Sequence, residues 1–379
     1  MKPLPPLTVI GLMSGTSADG IDAALVMTDG VSRPQVRHSA LFAYPESLRG
    51  QILQLYQSGM GEIDFMGELD RQLGELFAEA ALSLCQQAGV APEQVDLIGS
   101  HGQTIRHRPP RFTLQIGNPF IISARTGITT IADFRPADVA RQGEGAPLTP
   151  AFHQCLFQEQ GQSVAVVNLG GIANITAIPA EETGQVVAGD CGPANSLLDL
   201  LSSALGNGPC DWNGRLAAAG CVDQGGLDYL LAHPYFARAY PKSTGREDFG
   251  ADYLAEFQQR FSHLSPEDSM ATLTQLTVQS VADSCKGLLP PYPQRLVLCG
   301  GGARNGEIVR RLQQALPQTR LFNSDDLGVA ADSLEAQAFA WFAARTWYGL
   351  SSSLPGATGC LQAAILGSIH PGRLWPRLT

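Results

Sequence analysis

Short apolar runs rich in β-branched residues alternate along the chain with longer stretches of helical period, and three of those runs end in glycine-rich turns. Residues 8–12 predict a strand, Ser14 to Gly20 form a polar turn of small residues, and residues 21–27 predict the returning strand of a hairpin. Across 64–88, Phe65, Leu69, Leu73, Leu76, Phe77, Ala80 and Leu84 recur at helical spacing until Gly89 stops the run. A short buried strand at 95–99 then leads into Ser100-His101-Gly102-Gln103-Thr104. A strand at 113–116, a short helix at 121–126 and a strand at 129–132 complete this half. The second half begins the same way. Residues 164–168 predict a strand, Leu169 to Asn174 a turn, and 175–178 the return. Two such hairpins about one domain length apart predict a structural pseudo-repeat. Further on, a strand at 295–299 enters Gly300-Gly301-Gly302-Ala303-Arg304-Asn305 before a helix from about Glu307, and 332–348 predicts a helix with Leu334, Ala338, Phe339 and Phe342 on one face. The interleaving predicts an α/β protein, and its 379 residues predict two domains, with the switch near 135–160 where Gly143, Gly145, Pro147 and Pro150 cluster.

Composition narrows the function. Apolar residues at 44% and charged residues at 16% suit a well-buried globular chain. The net charge of −10 argues against a nucleic-acid or anionic-membrane partner. No apolar run is long enough to span a bilayer, and the first residues, Met1-Lys2-Pro3-Leu4-Pro5-Pro6, lack the apolar core of a signal peptide. The eight cysteines are dispersed without a C-x-x-C pair, which predicts reduced thiols and a cytoplasmic protein.

The glycine-rich turns suggest phosphate binding, because backbone N–H groups can approach phosphate oxygens where no side chain intervenes. In the first loop Ser14, Thr16 and Ser17 add hydroxyls, and Asn168 and Asn174 flank the second. Each loop alone is equally readable as an ordinary hairpin turn. Other phosphate codes do not fit. The chain has no G-x-x-x-x-G-K-[ST], and the run from Gly300 to Gly306 lacks the G-x-G-x-x-G spacing of a dinucleotide fold.

The segment Gly11-Leu12-Met13-Ser14-Gly15-Thr16-Ser17-Ala18-Asp19-Gly20-Ile21-Asp22 resembles the first phosphate motif of anhydro-N-acetylmuramic acid kinases. Asn168-Leu169-Gly170-Gly171-Ile172-Ala173-Asn174 is similar to their second phosphate motif, and Cys299-Gly300-Gly301-Gly302-Ala303-Arg304-Asn305 to their adenosine motif. The resemblance spans about residues 9–346 and implies a two-lobed actin-like (ribonuclease H-like) ATPase fold with ATP in the interlobe cleft. Lobe I would comprise residues 1–135 and 352–379, and lobe II residues 136–351. The resemblance implies nucleotide contacts from Gly11, Ser14, Gly15, Thr16, Ser17, Asp19, Gly20, Asp22, Asn168, Gly170, Gly171, Asn174, Gly300, Gly301, Gly302 and Asn305. It also implies Mg2+ beside the phosphates. Met13 and Asn168 stand where relatives in the wider superfamily carry aspartates, so Asp19, Asp22 and Glu335 are the remaining metal candidates.

Asp190 is the acidic candidate for proton transfer, following an apolar stretch and preceding a Gly-Pro turn and a helical run. On residue type alone, capping that helix is the simpler reading. The resemblance instead implies the general base. It would deprotonate a water that attacks the anomeric carbon of a 1,6-anhydro sugar, while the bridging oxygen takes the γ-phosphoryl group. An adjacent helix N-terminus would keep the carboxylate ionised. The sugar's lactyl carboxylate calls for positive or donor groups, which predicts a substrate set of Arg125 and Arg135 near His101, Gln103 and Thr104, with Arg106 and His107 also available and Asp133 orienting a sugar hydroxyl or Arg135. His153 reads as a packed helix residue, and the loop from Lys242 to Glu247 as a nucleotide contact or a lid. The rival readings are a conventional amino-sugar kinase and a non-catalytic actin-like nucleotide-binding module. A homodimer is expected for either enzyme.

Overall fold

The structure, a computed structural model, describes residues 4–58, 63–181 and 183–373. The first residues, 1–3, and the tail of the expected lobe I segment, 374–379, lie outside the described residues. The strands are β1 (Leu7–Ser14), β2 (Gly20–Thr28), β3 (Gln35–Ala43), β4 (Leu97–Arg108), β5 (Phe112–Ile116), β6 (Thr129–Ala132), β7 (Val164–Leu169), β8 (Ile172–Ile178), β9 (Val187–Pro193), β10 (Arg295–Cys299), β11 (Arg320–Asn323) and β12 (Ser368–His370). The helices that bear on the site are α1 (Ile63–Ala88), α2 (Pro119–Thr126), α3 (Asn195–Ala204), α4 (Pro266–Leu288), α5 (Gly306–Ala315) and α6 (Leu334–Trp347).

Two compact units result, residues 1–156 with 332–379, and residues 157–331. In the first unit the sheet runs β12-β6-β4-β1-β2-β3, with β5 paired to β4. In the second it runs β11-β10-β7-β8-β9. The two sheets share a wiring. β1-β2-β3 and β7-β8-β9 are antiparallel meanders, and β1 and β7 each continue into a parallel pair, β4-β6 and β10-β11. The repeat read from two hairpins therefore extends over five strands of each unit. Strands that pair in parallel are covered on both faces, which is why 296–299 reads as an unbroken apolar run and is buried throughout.

Helix α6 belongs to the first unit, packed on β1, β2 and β4. Its apolar residues, buried almost all round, need a sheet to cover them. Gly11 in β1 and Gly99 in β4 provide the seat. A Cβ on Gly11 would lie 1.8 Å from the Ala336 carbonyl oxygen, and one on Gly99 would lie 2.1 Å from that of Phe339. The sequence division instead gave residues 332–351 to the second lobe, because helical period alone does not say which sheet a helix covers. A separate buried cluster fills each unit, around Ile10, Leu25, Leu73 and Phe77 in the first and Val167, Leu197, Leu273 and Leu298 in the second.

Candidate functional site

The turn between β1 and β2 is held from inside. Ser14, at the end of β1, is buried, and its hydroxyl lies 2.7 Å from the Gly20 carbonyl and 2.6 Å from Gln103 Oε1. The Gln103 amide Nε2 donates to the Gly15 carbonyl at 2.8 Å and to the Tyr56 hydroxyl at 2.7 Å. Ser14 and Gln103 therefore brace the loop. Strand β4 continues through 97–108 because β5 extends its ladder, so His101, Gln103 and Thr104 lie within the strand and not beyond the end expected for it at residue 99. Gly11 and Gly20 are packing glycines. A Cβ on Gly20 would lie 2.4 Å from the Phe42 carbonyl oxygen. The space open to a ligand is at Gly15, where a Cβ would meet only the Ser17 hydroxyl at 3.8 Å, flanked by exposed Thr16 and Ser17.

The second loop is held by a helix. Ala194, Asn195 and Ser196 donate their backbone N–H groups to the carbonyls of Gly171, Gly170 and Gly171, at 2.9, 3.0 and 3.1 Å. These are donors that the start of α3 would otherwise leave without partners. The Asn195 side-chain amide donates to the Leu169 carbonyl at 2.9 Å. Gly170 and Gly171 have room around them, with nothing closer than 3.5 Å to an added Cβ. Asn168 and Asn174 face each other across the β7–β8 ladder. In the third loop Gly300 is in the left-handed region at φ 79°, and a Cβ on Gly302 would lie 2.7 Å from that of Leu169. Gly301 is open, with nothing within 4 Å of an added Cβ. Asn305 caps α5, its Oδ1 accepting from the N–H groups of Glu307 and Ile308. It also lines a cavity of about 300 Å³ with Gly301, Gly302 and Arg304.

Asp190 stands inside β9 opposite Asn174, and not at a helix start. It does not cap α3, whose N-cap is Ala194 and whose first N–H groups go to the glycine loop. Its carboxylate Oδ2 accepts from the Thr244 N–H at 2.9 Å, a backbone donor that favours the ionised form. The residue's backbone is held as firmly. Its N–H donates to the Lys242 carbonyl at 2.8 Å, and its carbonyl accepts from the hydroxyls of Tyr235 at 2.7 Å and Tyr240 at 3.1 Å. The Lys242 ammonium lies 4.6 Å from the Tyr235 ring centre and 5.0 Å from that of Tyr240, and burial holds it below the usual lysine range. Thr244 itself is tied to Asp248 by a 2.7 Å hydrogen bond. The loop from Lys242 thus positions Asp190. The two tyrosines escaped sequence reasoning, since nothing in their spacing links them to residue 190.

In the first unit Arg135 Nε donates to His101 Nε2 at 2.9 Å, and its NH1 donates to the Gly145 carbonyl at 2.8 Å. A guanidinium N–H can only donate, so His101 Nε2 carries the lone pair and Nδ1–H donates to the Gly102 carbonyl at 2.9 Å. Burial, reinforced by the Arg135 charge, holds the imidazole well below its usual pKa. Asp133 is exposed at φ 55°, a conformation uncommon for a residue with a Cβ, and accepts from the Ser368 hydroxyl at 3.0 Å. Thr104 accepts from Gln115 at 3.2 Å. Arg125 is engaged elsewhere, in an exposed ion pair with Glu75 and a second, 3.8 Å from Glu79. Its place at the end of an amphipathic helix gave no sign of those acids, which come from α1. Arg106 donates to the carbonyls of Leu55 and Tyr56.

Among the described residues no three His, Cys, Asp or Glu side chains come together as a metal site. Asp19 pairs with Arg49 at 3.5 Å, and Asp22 lies in β2 opposite Met13. Glu335 begins α6. It is exposed to solvent, yet surrounding protein raises its carboxyl above the usual range, and Arg135 acts in the opposite direction. These acids do not form a cage for Mg2+. A protein that meets the ion through substrate phosphates needs only one or two carboxylates. His153 is buried in the helix Pro150–Phe157, where desolvation lowers its pKa to about 4.

A family model described as anhydro-N-acetylmuramic acid kinase matches residues 7–372. A relative of that name from Shewanella baltica (strain OS185) is 46% identical over 94% of this chain and 97% of its own. Another, from Pasteurella multocida (strain Pm70), is 42% identical over 96% of each chain. Among solved structures, a ROK-family glucokinase from Streptomyces griseus in complex with glucose and AMPPNP is 14% identical, with a TM-score of 0.41 over 88% of this chain and 99% of that one.

Proposed function

The chain belongs to the anhydro-N-acetylmuramic acid kinase family, and from that membership we propose that it couples hydrolysis of 1,6-anhydro-N-acetylmuramic acid to phosphorylation of its O6, with ATP as donor and Asp190 as general base. The products are N-acetylmuramic acid 6-phosphate and ADP, a step of peptidoglycan recycling. One observation carries the residue assignment. The Asp190 carboxylate accepts a backbone N–H from Thr244, on a strand segment tied down by two tyrosine hydroxyls and the Lys242 carbonyl. A carboxylate so held keeps its direction while it takes a proton from water.

The bond changes balance. Water loses a proton to Asp190 and adds to the anomeric carbon, the anhydro C–O bond breaks, and the departing O6 takes the γ-phosphoryl group of ATP, whose β–γ P–O bond breaks to release ADP. The open surfaces of Gly15, Gly170, Gly171 and Gly301 support phosphate binding by backbone N–H groups. Mg2+ would arrive on the nucleotide's phosphates and neutralise their charge. His101 keeps Arg135 pointing in a fixed direction, which supports Arg135 as the receiver of the lactyl carboxylate. In this reading the enzyme works as a cytoplasmic homodimer, which light scattering would test. Among the described residues no helix is long and apolar enough to cross a membrane.

The test is mass spectrometry of the sugar formed from the anhydro sugar, ATP and Mg2+ in ¹⁸O-labelled water. The expected product is ring-opened, 6-phosphorylated and labelled at the anomeric oxygen, and Asp190→Asn abolishes it. Turnover of a ring-open amino sugar alone would instead establish a conventional kinase.

A further inference from the structure

Strand β12 is an outer strand of the first unit's sheet and runs antiparallel to β6, with Ser368 opposite Ala132 and His370 opposite Thr130. Its backbone is held independently of those side chains. Gly367, at φ 92°, sits where a Cβ would lie 2.9 Å from Ile131 Cγ2. Beyond the strand, the Gly372 N–H donates to Thr129 Oγ1 at 3.2 Å and the Arg373 N–H to the Gly127 carbonyl at 2.9 Å. Along this edge three side chains are linked in a row. His370 Nε2 lies 3.0 Å from Ser368 Oγ, which in turn lies 3.0 Å from Asp133 Oδ2. The direction follows from the proton count. A serine hydroxyl has one proton and a carboxylate can only accept it, so Ser368 donates to Asp133 and accepts from His370 Nε2–H. The lone pair is then on His370 Nδ1, which is buried without a hydrogen-bond partner. Burial holds the imidazole below its usual pKa, with the Asp133 charge acting the other way. The Phe120 ring packs edge-on against it, the centroids 4.6 Å apart, and fixes its plane.

The row ends on Asp133. This residue directly follows β6, at the carboxyl end of a strand paired in parallel with β4, where the ligands of α/β sheets gather. A residue with a Cβ keeps its left-handed backbone only where the surroundings enforce it. Its exposed carboxylate accepts from Ser368 through Oδ2 and, among the described residues, from nothing else. We propose that Ser368 and His370 are positioning residues for the sugar, turning Asp133 so that Oδ1 accepts from a hydroxyl or the acetamido N–H of the substrate. The proposal rests on the anhydro sugar being that substrate. An aspartate side chain free to rotate loses that freedom when it binds, whereas one already held by a hydroxyl loses less. The pair therefore acts on sugar affinity and leaves the bond-breaking step to Asp190.

The experiment is steady-state kinetics with the anhydro sugar varied at saturating ATP, with thermal midpoints and ¹⁵N NMR of the histidine rings on the same proteins. Ser368→Ala should raise the KM for the sugar about fivefold, the effect of leaving one side chain to be ordered on binding. Its kcat, its KM for ATP and its midpoint should change little, since β12 is anchored through its backbone. Ser368→Thr, which keeps the hydroxyl, should restore the KM, and His370→Phe should raise it about twofold. In an Asp133→Ala background Ser368→Ala should add nothing, because the group it positions is gone. The ¹⁵N spectrum should place the His370 proton on Nε2. An unchanged sugar KM in Ser368→Ala, or the same loss in the Asp133→Ala background, would overturn the positioning role. A proton on Nδ1 would overturn the part given to His370. A wild type that phosphorylates no anhydro sugar would sink the substrate reading and this role with it, whereas turnover with a normal KM in Ser368→Ala would sink the role alone.

Discussion

In the first hairpin the Gly15 carbonyl accepts from a long-range side-chain amide, that of Gln103 from β4, as well as from the local Ala18 N–H, whereas in the second the carbonyls of Gly170 and Gly171 are held by three backbone N–H groups at the start of α3. Two units with the same strand wiring have thus fixed their glycine loops by different means. A loop braced by a buried polar side chain depends on that residue's identity and on the protonation of its neighbours. One braced by a helix terminus depends mainly on the helix being there. The glycines divide along the same line. In the first hairpin Gly11 and Gly20 make room for protein, while in the second Gly170 and Gly171 face open space.

The largest expected effect follows from that division. Gly11→Ala would put a Cβ 1.8 Å from the Ala336 backbone carbonyl, which no side-chain rotation relieves. Overpacking of this severity should cost about 3 kcal/mol or more, seen as a lower thermal midpoint or loss of soluble protein. An unchanged midpoint would show that α6 does not sit tightly on β1. Next in size is the paired test of the braces. Gln103→Leu leaves the Gly15 carbonyl and the Ser14 and Tyr56 hydroxyls without their amide partner, at a cost of about 2 kcal/mol. Asn195→Ala removes one side-chain bond but none of the three backbone bonds, and should cost about 1 kcal/mol. If urea unfolding gives equal losses, the contrast between the two loops fails.

Acid should separate the units as well. His101, His107, His153 and His370 all lie in the first unit, and burial lowers the pKa of each. Between the folded pKa and the unfolded value of about 6.5, the unfolded chain binds more protons, so stability rises with pH. The contribution of these groups is full above about pH 6.5 and is lost as pH falls towards the folded values, about 4 for His153. Amide hydrogen exchange between pH 7 and 5 should therefore show β1 and β4 loosening before β7 and β8. His101→Gln, which can still accept from Arg135, should reduce that difference. Loosening that begins in the second unit would contradict the assignment.

Most of the strands and the repeat were legible because apolar runs ending in glycine turns are local signals. Neither brace was local. Gln103 lies 89 residues from Ser14, and its burial depends on β4 continuing past Ser100 along β5. The capping reading of Asp190 used the nearest helix, but the N–H groups of α3 were already taken by the loop at Gly170 and Gly171. Arg125 could not be sorted by its own position, since Glu75 and Glu79 reach it from a helix distant in sequence. Side chains meeting across tertiary contacts decided which motif residues hold the motif in shape.

The smallest effect on folding, and the most discriminating for function, is expected from Gly171→Ala. An added Cβ would meet only the Ser196 Cβ at 3.9 Å, an ordinary contact, so stability should change by no more than about 0.5 kcal/mol. A nucleotide phosphate drawn onto the backbone N–H groups of this loop would meet the same methyl group from the open side. The KM for ATP should then rise severalfold while the thermal midpoint without nucleotide stays put. The stabilisation by added ADP should shrink in parallel, because a ligand that binds only the folded state stabilises it by an amount that grows with the logarithm of one plus its free concentration over its Kd. A normal KM together with an undiminished ADP shift would mean that phosphate does not approach Gly171. The glycine would then serve the turn that presents its carbonyl to Ala194 and Ser196, and the second hairpin, like much of the first, would be protein-facing.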